Sequence, residues 1–448
     1  MAEYDLTKTV IPYCDRHLVF PLLAHLVENE LFPAEQVQKA QYELAKETNM
    51  VDYAVSLFEQ LHTDETHRCP AEFAGKRENA LSTNERLQQD AQAVLDRSRC
   101  ARTKTKTSVT LEQINALYNF GQFQYSYGNY SGAADYLYHF RVLSTDPDLT
   151  MSAHWGKLAS DILTGKWDVA LEELNTLRDA IDSRSPSVPQ FASAPSSSIT
   201  DPALTQLHSR TWLLHWSLFV YFNHPEGRTL LLETFLSPTY LNTIQTSSPW
   251  VLRYLATAAV LSRKSSTGAL SSRVRHSIRE IVKVIQMEEY QYQDPITNFL
   301  KELYVEFDFE AAQRELGLAE HVVGNDFFLN EFRDDFMDNA RYLISEAYCR
   351  IHQRIDIADL SERLNLSKED GEKWIVNLIR ETRMGADAKI DLEKNVIEIH
   401  RPALPVYQSI IEKTRGLAFR TQALGAAMTR TQQAPPPSEV LPAEVEAR

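Results

Sequence analysis

Residues 355–400 read IDIADLSERLNLSKEDGEKWIVNLIRETRMGADAKIDLEKNVIEIH and contain the clearest change of hydrophobic period in the chain. In their first part apolar residues recur three and four positions apart, which predicts two short helices separated at residues 365–366. From Ala388 onward apolar and polar residues alternate on both sides of residues 393–395, which predicts a two-stranded hairpin. Helix, turn, helix and hairpin in this order predict a winged helix over residues 353–403.

The charge of this segment bears on its function, because winged helices often bind nucleic acid. From Arg341 to Arg401 there are 11 basic and 12 acidic residues, a net charge of 11 − 12 = −1. A helix that binds a duplex normally presents surplus positive charge to the phosphates. We therefore expect the winged helix to make protein–protein contacts, with direct RNA binding as the alternative.

The predicted hairpin offers unpaired backbone groups at a strand edge, to which a strand of a partner can be added. We expect such wing-to-wing pairing along residues 388–400. A charge reversal or a proline at Val396 or Glu398 is then expected to reduce incorporation into an assembly while leaving the isolated fold largely intact. The candidate wing-edge contacts are Lys389, Asp391, Val396, Glu398 and His400.

A last helix is predicted over residues 404–430, where a narrow apolar stripe recurs at heptad spacing. Such a stripe is typical of helices that bundle with partner helices. Packing of this helix onto its own winged helix is the alternative. The candidate bundle contacts are Ile410, Leu417, Leu424 and Met428. Residues 431–448 lack apolar periodicity, and we expect them to form a disordered tail.

Two segments of the N-terminal half resemble each other at a spacing of 165 − 128 = 37 residues. The matching pairs are Gly128 and Gly165, Tyr130 and Trp167, Ala133 and Ala170, Leu137 and Leu174. Glycine suits the left-handed end of a helix, and this period predicts tetratricopeptide-like helical hairpins over residues 1–182. A coincidental pair of hairpins is the alternative. A serine- and proline-rich loop is predicted at 183–202, followed by a helical stretch at 203–352.

Composition limits the class of protein. The chain has 448 residues and a net charge of −15, so an overall basic field for nucleic acid is excluded, although local basic strips are not. Fourteen glycines are few for a fold with many strands and turns, and they favour a mainly α fold. Four scattered cysteines suit a reducing compartment. No signal peptide or membrane-length apolar run is present, so we expect a soluble cytoplasmic or nuclear protein.

The sequence contains no nucleotide-binding loop, no nucleophile elbow and no zinc-protease motif. We therefore assign no catalytic, cofactor-binding or metal-binding residue, and expect no enzyme activity. A weak metal alternative is the segment from His62 to Cys69, whose histidine spacing does not suit one helical face. A basic strip in a predicted linker gives weak RNA-contact candidates, which are Arg97, Arg99, Arg102, Lys104 and Lys106.

A helical solenoid that leads into a winged helix and a trailing helix resembles the PCI module. That module is shared by the proteasome lid, the COP9 signalosome and eukaryotic initiation factor 3. Within this group, several long sequence segments resemble the e-subunit family of initiation factor 3. They are MAEYDLT (1–7), DRHLVFPLL (15–23), TNMVDYA (48–54), GNYSGAADYLYHFRVL (128–143), RTWLLHWSLFVYFNHPEGR (210–228), DPITNFL (294–300), NDFFL (325–329) and KWIVNLIR (373–380).

The resemblance implies a PCI domain over residues 203–403 and a noncatalytic scaffold subunit without cofactors. Its implied partners are other core subunits of the factor, subunit d through the N-terminal region, and the small (40S) ribosomal subunit, with recruitment of mRNA and initiator methionyl-tRNA as the outcome. In such assemblies wings align edge to edge and trailing helices form a common bundle. The alternatives are a scaffold subunit of the proteasome lid or signalosome, or a winged-helix RNA-binding protein.

Overall fold

The computed structural model describes residues 4–29, 31–61, 71–102, 111–183, 202–262, 269–364, 368–381, 388–391, 395–399 and 406–433. The chain divides into two compact units, residues 1–348 and residues 349–448. It is mainly helical, with a helical-repeat region, a winged helix and a C-terminal helix in that order. This is the predicted fold class.

The first unit is built of helices joined by short connections. Its helices are α1 (Thr7–Val10), α2 (Arg16–Glu28), α3 (Ala34–Lys46), α4 (Val51–Leu61), α5 (Ala71–Arg102), α6 (Leu111–Tyr127), α7 (Tyr130–Leu143), α8 (Pro147–Leu163), α9 (Trp167–Ser183), α10 (Pro202–Asn223), α11 (Gly227–Phe235), α12 (Pro238–Ser247), α13 (Leu252–Leu261), α14 (Ala269–Glu288), α15 (Pro295–Lys301) and α16 (Phe309–Asn325). Helix α17 (Arg333–Ile351) crosses the boundary between the units.

The predicted helical hairpins are confirmed. Gly128 lies between α6 and α7 with φ 98°, and Gly165 lies between α8 and α9 with φ 70°. Both are in the left-handed region that glycine adopts without strain. Ala133 and Ala170 are completely buried at the start of the second helix of each pair. The shared pattern therefore occupies the same place in two consecutive helical hairpins.

Helix α5 corrects the prediction of a linker after residue 97. It continues to Arg102, so Arg97, Arg99 and Arg102 belong to a helix. Its sequence contains neither proline nor a second glycine after Gly75, and its good helix formers outweigh its low apolar content. The helix is held by Ala91 and Val94, which are buried in a core cluster with residues of α6 and α7.

The N-terminal residues pack against helices far along the chain. The indole nitrogen of Trp216 in α10 donates a hydrogen bond of 2.9 Å to the backbone oxygen of Tyr13. The Tyr13 ring stacks on His215 with 4.4 Å between the ring centroids. Gln206 of α10 also donates to the carbonyl of Ile181 at 3.0 Å. These contacts help to make residues 1–348 one compact unit.

The second unit contains a winged helix with three strands, one more than predicted. Its elements are β1 (Arg354–Asp356), α18 (Ile357–Arg363), α19 (Lys368–Glu381), β2 (Ala388–Asp391), β3 (Val396–Ile399) and α20 (Val406–Gln433). The sheet is antiparallel with the order β1-β3-β2. The predicted helix from Ile355 begins only at Ile357, because Ile355 pairs with Ile397 in the sheet and the Asp356 carboxylate accepts the backbone N–H of Ala358.

The core of the winged helix follows the predicted apolar pattern where it is described. Ile357, Leu360 and Leu364 are buried, as is Ile375 of α19. Helix α20 ends at Gln433 and thus includes the first residues of the predicted tail. Residues 434–448 and almost all of the predicted loop at 183–202 lie outside the described residues. The division into domains stays a prediction.

Candidate protein-interaction site

Helix α20 presents a row of exposed apolar side chains. Ile410, Leu417, Leu424 and Met428 are 54%, 62%, 65% and 65% exposed. They share one face, because seven residues make nearly two helical turns and four make just over one. Every described side chain of α20 except Ser409 is exposed. Between the described residues of α20 and those of the winged helix there is therefore no close packing, which was the alternative.

Threonines occupy alternate positions along this row, and their hydroxyl groups are satisfied within the helix. Thr414 donates to the carbonyl of Ile410 at 2.7 Å, and Thr421 donates to the carbonyl of Leu417 at 2.9 Å. A hydroxyl bonded to its own helix needs no partner when it is buried. The row can thus enter an apolar interface without leaving unpaired donors.

Four further exposed apolar residues on α20 were missed by the heptad pattern. They are Val406, Tyr407, Ile411 and Phe419. Phe419 is 74% exposed and lies on the side opposite Leu417 and Leu424, outside the seven-residue spacing. In the sequence, Phe419 could be recognised only as an aromatic residue on an otherwise polar face of the helix. The apolar surface of α20 is consequently wider than one stripe.

The strand order changes which wing residues lie at an edge. Val396 and Glu398 are on β3, which is paired on both sides, so the prediction that they form an exposed edge is wrong. Strand β1, which covers the other side of β3, is too short to be predicted from the sequence. Lys389 and Asp391 lie on the edge strand β2, and His400 lies outside the described residues.

Helices α18 and α19 approach closely behind the sheet. A Cβ atom built on Gly371 would lie 2.0 Å from Oγ and 2.6 Å from Cβ of Ser361. Ser361 is buried, and its hydroxyl donates to the carbonyl of Ile357 at 2.6 Å. Only glycine fits at this crossing, so the contact sets how closely α18 and α19 approach each other.

The remaining sequence candidates stay predictions. Among the RNA-contact candidates, Lys104 and Lys106 lie outside the described residues, as does the segment His62 to Cys69. The described part of the chain holds no cluster of three or more His, Cys, Asp or Glu side chains arranged for a metal ion. None of the helices in that part has the length and apolar character needed to span a membrane.

Three family models match the chain. One is described as "PCI domain" and covers residues 300–401, which include the winged helix. Another is described as "eIF3 subunit 6 N terminal domain" and covers residues 5–124. The third describes the C-terminal segment of the E subunit of eukaryotic translation initiation factor 3 and covers residues 405–425. Together with the fold, the first match defines the class: this is a PCI-domain protein.

Curated relatives are similar over nearly the whole chain. The chain is 50% identical to the E subunit of eukaryotic translation initiation factor 3 from Mycosarcoma maydis, over 98% of this chain and 87% of that protein. It is 48% identical to the corresponding protein of Cryptococcus neoformans, over 96% and 93%, and 46% identical to that of Emericella nidulans, over 94% and 93%. The chain therefore belongs to the E-subunit family of eukaryotic translation initiation factor 3. These matches do not favour a proteasome-lid or signalosome subunit.

Proposed function

We propose that the chain is a noncatalytic scaffold subunit that joins other subunits of initiation factor 3 through α20 and the wing. The observation that carries this proposal is the exposed apolar surface of α20. Fully burying one Leu, Ile, Phe or Met side chain is worth about 1.5–3 kcal/mol. A row of such side chains exposed to water lowers the solubility of the chain. Packing against partner helices would bury the row.

The expected partners follow from family membership. They are PCI-containing and other core subunits of the factor, with subunit d bound by the N-terminal helical region. The assembled factor would act in the cytoplasm, bind the small ribosomal subunit, and support recruitment of mRNA and initiator methionyl-tRNA. The chain contributes surfaces to this process and no chemistry of its own.

Two glutamates on the apolar row are expected to abolish assembly. In the variant Leu417→Glu plus Leu424→Glu, two carboxylates would have to be buried among apolar partners, at a cost of several kcal/mol. Tagged protein would be purified from its native cells and its partners quantified by mass spectrometry. Loss of most co-purifying factor subunits is expected, while helicity by circular dichroism changes little because the row is exposed.

The matched control is Gln408→Glu plus Gln422→Glu. Both glutamines are exposed and lie across the helix from the apolar row, on the side of Phe419. The control thus adds the same charge to the same helix and separates the row from that side. It is expected to retain the partners. Equal recovery of partners with both double variants would refute α20 as the bundle contact. Recovery of proteasome-lid or signalosome subunits with the unmodified chain would refute the function itself.

The wing contact is proposed for the edge strand β2. Along an antiparallel strand, successive residues direct their backbone N–H groups alternately to one neighbour and to the other. One of the variants Lys389→Pro and Ile390→Pro therefore removes a backbone hydrogen bond to β3. The other removes the backbone N–H that points away from the sheet. The variant that keeps its thermal stability identifies the outer group, because proline is tolerated there.

That stable proline variant is expected to reduce incorporation into the complex, as measured by the same co-purification. The outer N–H would otherwise bond to a strand of the neighbouring subunit. Glu398→Pro serves as the reference for a broken sheet, because β3 is paired on both sides. If the stable variant is incorporated as well as the unmodified chain, wing pairing through β2 is wrong.

A further inference from the structure

Helix α14 carries a row of basic side chains that the proposed scaffold function does not use. Arg275, Arg279 and Lys283 are exposed and lie four residues apart, so they share one face of the helix. Met287 continues the row and is 57% exposed. Tyr290, just past the end of the helix, is 79% exposed. The row thus ends beside an aromatic ring that faces solvent.

Buried apolar residues beside and behind the basic row anchor α14. Ile278, Ile281, Val282, Val284 and Ile285 are all buried. The basic row is therefore presented by a fixed element of the first unit. A fixed element loses less conformational freedom when it binds a partner than a flexible loop does.

The charges around the row are unusual in a chain with a net charge of −15. No Asp or Glu occurs from Thr234 to Arg279, while the chain carries 61 of them elsewhere. The first acid after this stretch, Glu280, bonds to Lys283 at 2.8 Å, and Arg279 has no ion pair among the described residues. Acids are thus scarce in the sequence where the row begins, whereas Lys283 at its far end is paired with Glu280.

The stability of α14 does not explain where its basic residues lie along the helix. The helix macrodipole favours acids in the first turns and bases in the last. In α14 the first turn has no acid and the last turn has no base, and Arg275 and Arg279 lie in the interior of the helix. The macrodipole acts mainly within the first and last turns, so it neither favours nor opposes these interior arginines and does not account for the row.

We propose that this face of α14 binds single-stranded RNA, with Arg275, Arg279 and Lys283 on successive phosphates and Tyr290 stacked on a base. Side chains four residues apart are separated by about 6 Å along the helix axis, which is comparable to the distance between neighbouring phosphates of one strand. Arginine matches phosphate in fork geometry, and exposed aromatic rings stack on bases of any sequence. An acidic protein segment would use the cations but would leave the tyrosine without a role.

The test uses the full-length chain, a fluorescein-labelled RNA without secondary structure, and anisotropy between about 50 and 200 mM potassium chloride. Arg279→Gln plus Lys283→Gln is expected to weaken binding roughly tenfold and to lower the salt slope by about 1.4, since each phosphate contact contributes about 0.7 for single strands. Tyr290→Ala is expected to weaken single-strand binding at least fivefold and to leave duplex binding unchanged.

The matched control is Lys39→Gln plus Lys46→Gln on α3, where both lysines are exposed and the change in charge is the same. It is expected to bind like the unmodified chain. An equal effect of both double variants would overturn the proposal, as would displacement of the RNA by polyglutamate as effectively as by unlabelled RNA. The last result would assign the row to an acidic protein. Co-purification of the factor subunits should not change with the α14 variant, so this test is independent of the scaffold proposal.

Discussion

Replacement of Arg253 by methionine is expected to lower the free energy of unfolding of the chain by roughly 3–5 kcal/mol. Arg253 on α13 is 2% exposed, and its guanidinium group binds two buried carboxylates. It donates to Asp294 at 2.7 Å and 3.3 Å, and to Asp326 at 3.1 Å. It also donates to the backbone oxygen of Tyr4 at 2.7 Å. Without the cation, the two buried carboxylates would keep only hydrogen bonds from neutral donors, such as Tyr254 for Asp326 and the backbone N–H of Ile296 for Asp294.

The protonation of these carboxylates gives the prediction a second, independent signature. Burial raises the pKa of Asp294 and of Asp326, and the positive charge of Arg253 opposes that rise. In Arg253→Met the opposing charge is gone, so both pKa values would rise further. A carboxylate with a raised pKa in the folded state binds protons more tightly there than in the unfolded state, so stability increases as the pH falls. The deficit of the variant should therefore be smaller in mild acid than at neutral pH.

Urea unfolding followed by tryptophan fluorescence measures both effects. The matched control is Arg333→Met, which removes an arginine that binds Glu320 at 2.6 Å near the surface. Its effect should stay within about 1 kcal/mol, because exposed ion pairs contribute little. A loss for Arg253→Met no larger than for the control would show that the buried carboxylates are compensated by other groups. A deficit that does not change with pH would contradict the assigned electrostatic cause.

Arg253 also illustrates what sequence patterns can and cannot predict. The repeat glycines Gly128 and Gly165 were predictable, because their backbone conformation is a local property. The bond between Arg253 and Tyr4 joins residues 249 positions apart, and no local period encodes it. The same holds for Trp216 and Tyr13. Long-range polar contacts of this kind position the N-terminal residues, and they appear only when the chain is folded.

The winged helix shows the same limit at shorter range. Alternation predicted β2 and β3, because each has several residues with a period of two. Strand β1 has three residues, too few for a period, and it is recognised only by its pairing with β3. Because β1 was missed, β3 was wrongly taken for an edge strand together with β2. By contrast, the apolar row of α20 was predictable, because seven-residue spacing is a local signal, whereas its exposure required the structure.

Replacement of Gly371 by alanine is expected to destabilise the winged helix by roughly 1–3 kcal/mol, in spite of a favourable intrinsic term. Alanine is a better helix former than glycine by about 1 kcal/mol. The new methyl group, however, would lie 2.6 Å from Cβ of Ser361, an atom that no side-chain rotation can move. Helices α18 and α19 would have to separate, and the steric cost is expected to exceed the gain in propensity.

Hydrogen–deuterium exchange of peptides that cover α18 and α19 reports this local loss of stability. Gly416→Ala is the matched control, because a Cβ there meets no atom within 4 Å and α20 is exposed. It should only slow exchange in α20. The double variant Gly371→Ala plus Ser361→Gly removes the clashing Cβ and hydroxyl, and leaves Cα of residue 361 at an ordinary 3.5 Å. It should recover protection relative to Gly371→Ala, because the contact itself is relieved. Protection that is lost in Gly371→Ala and is not recovered in the double variant would show that the clash at this crossing is not the cause of the loss. The close approach of the two helices would then not set the geometry of the wing.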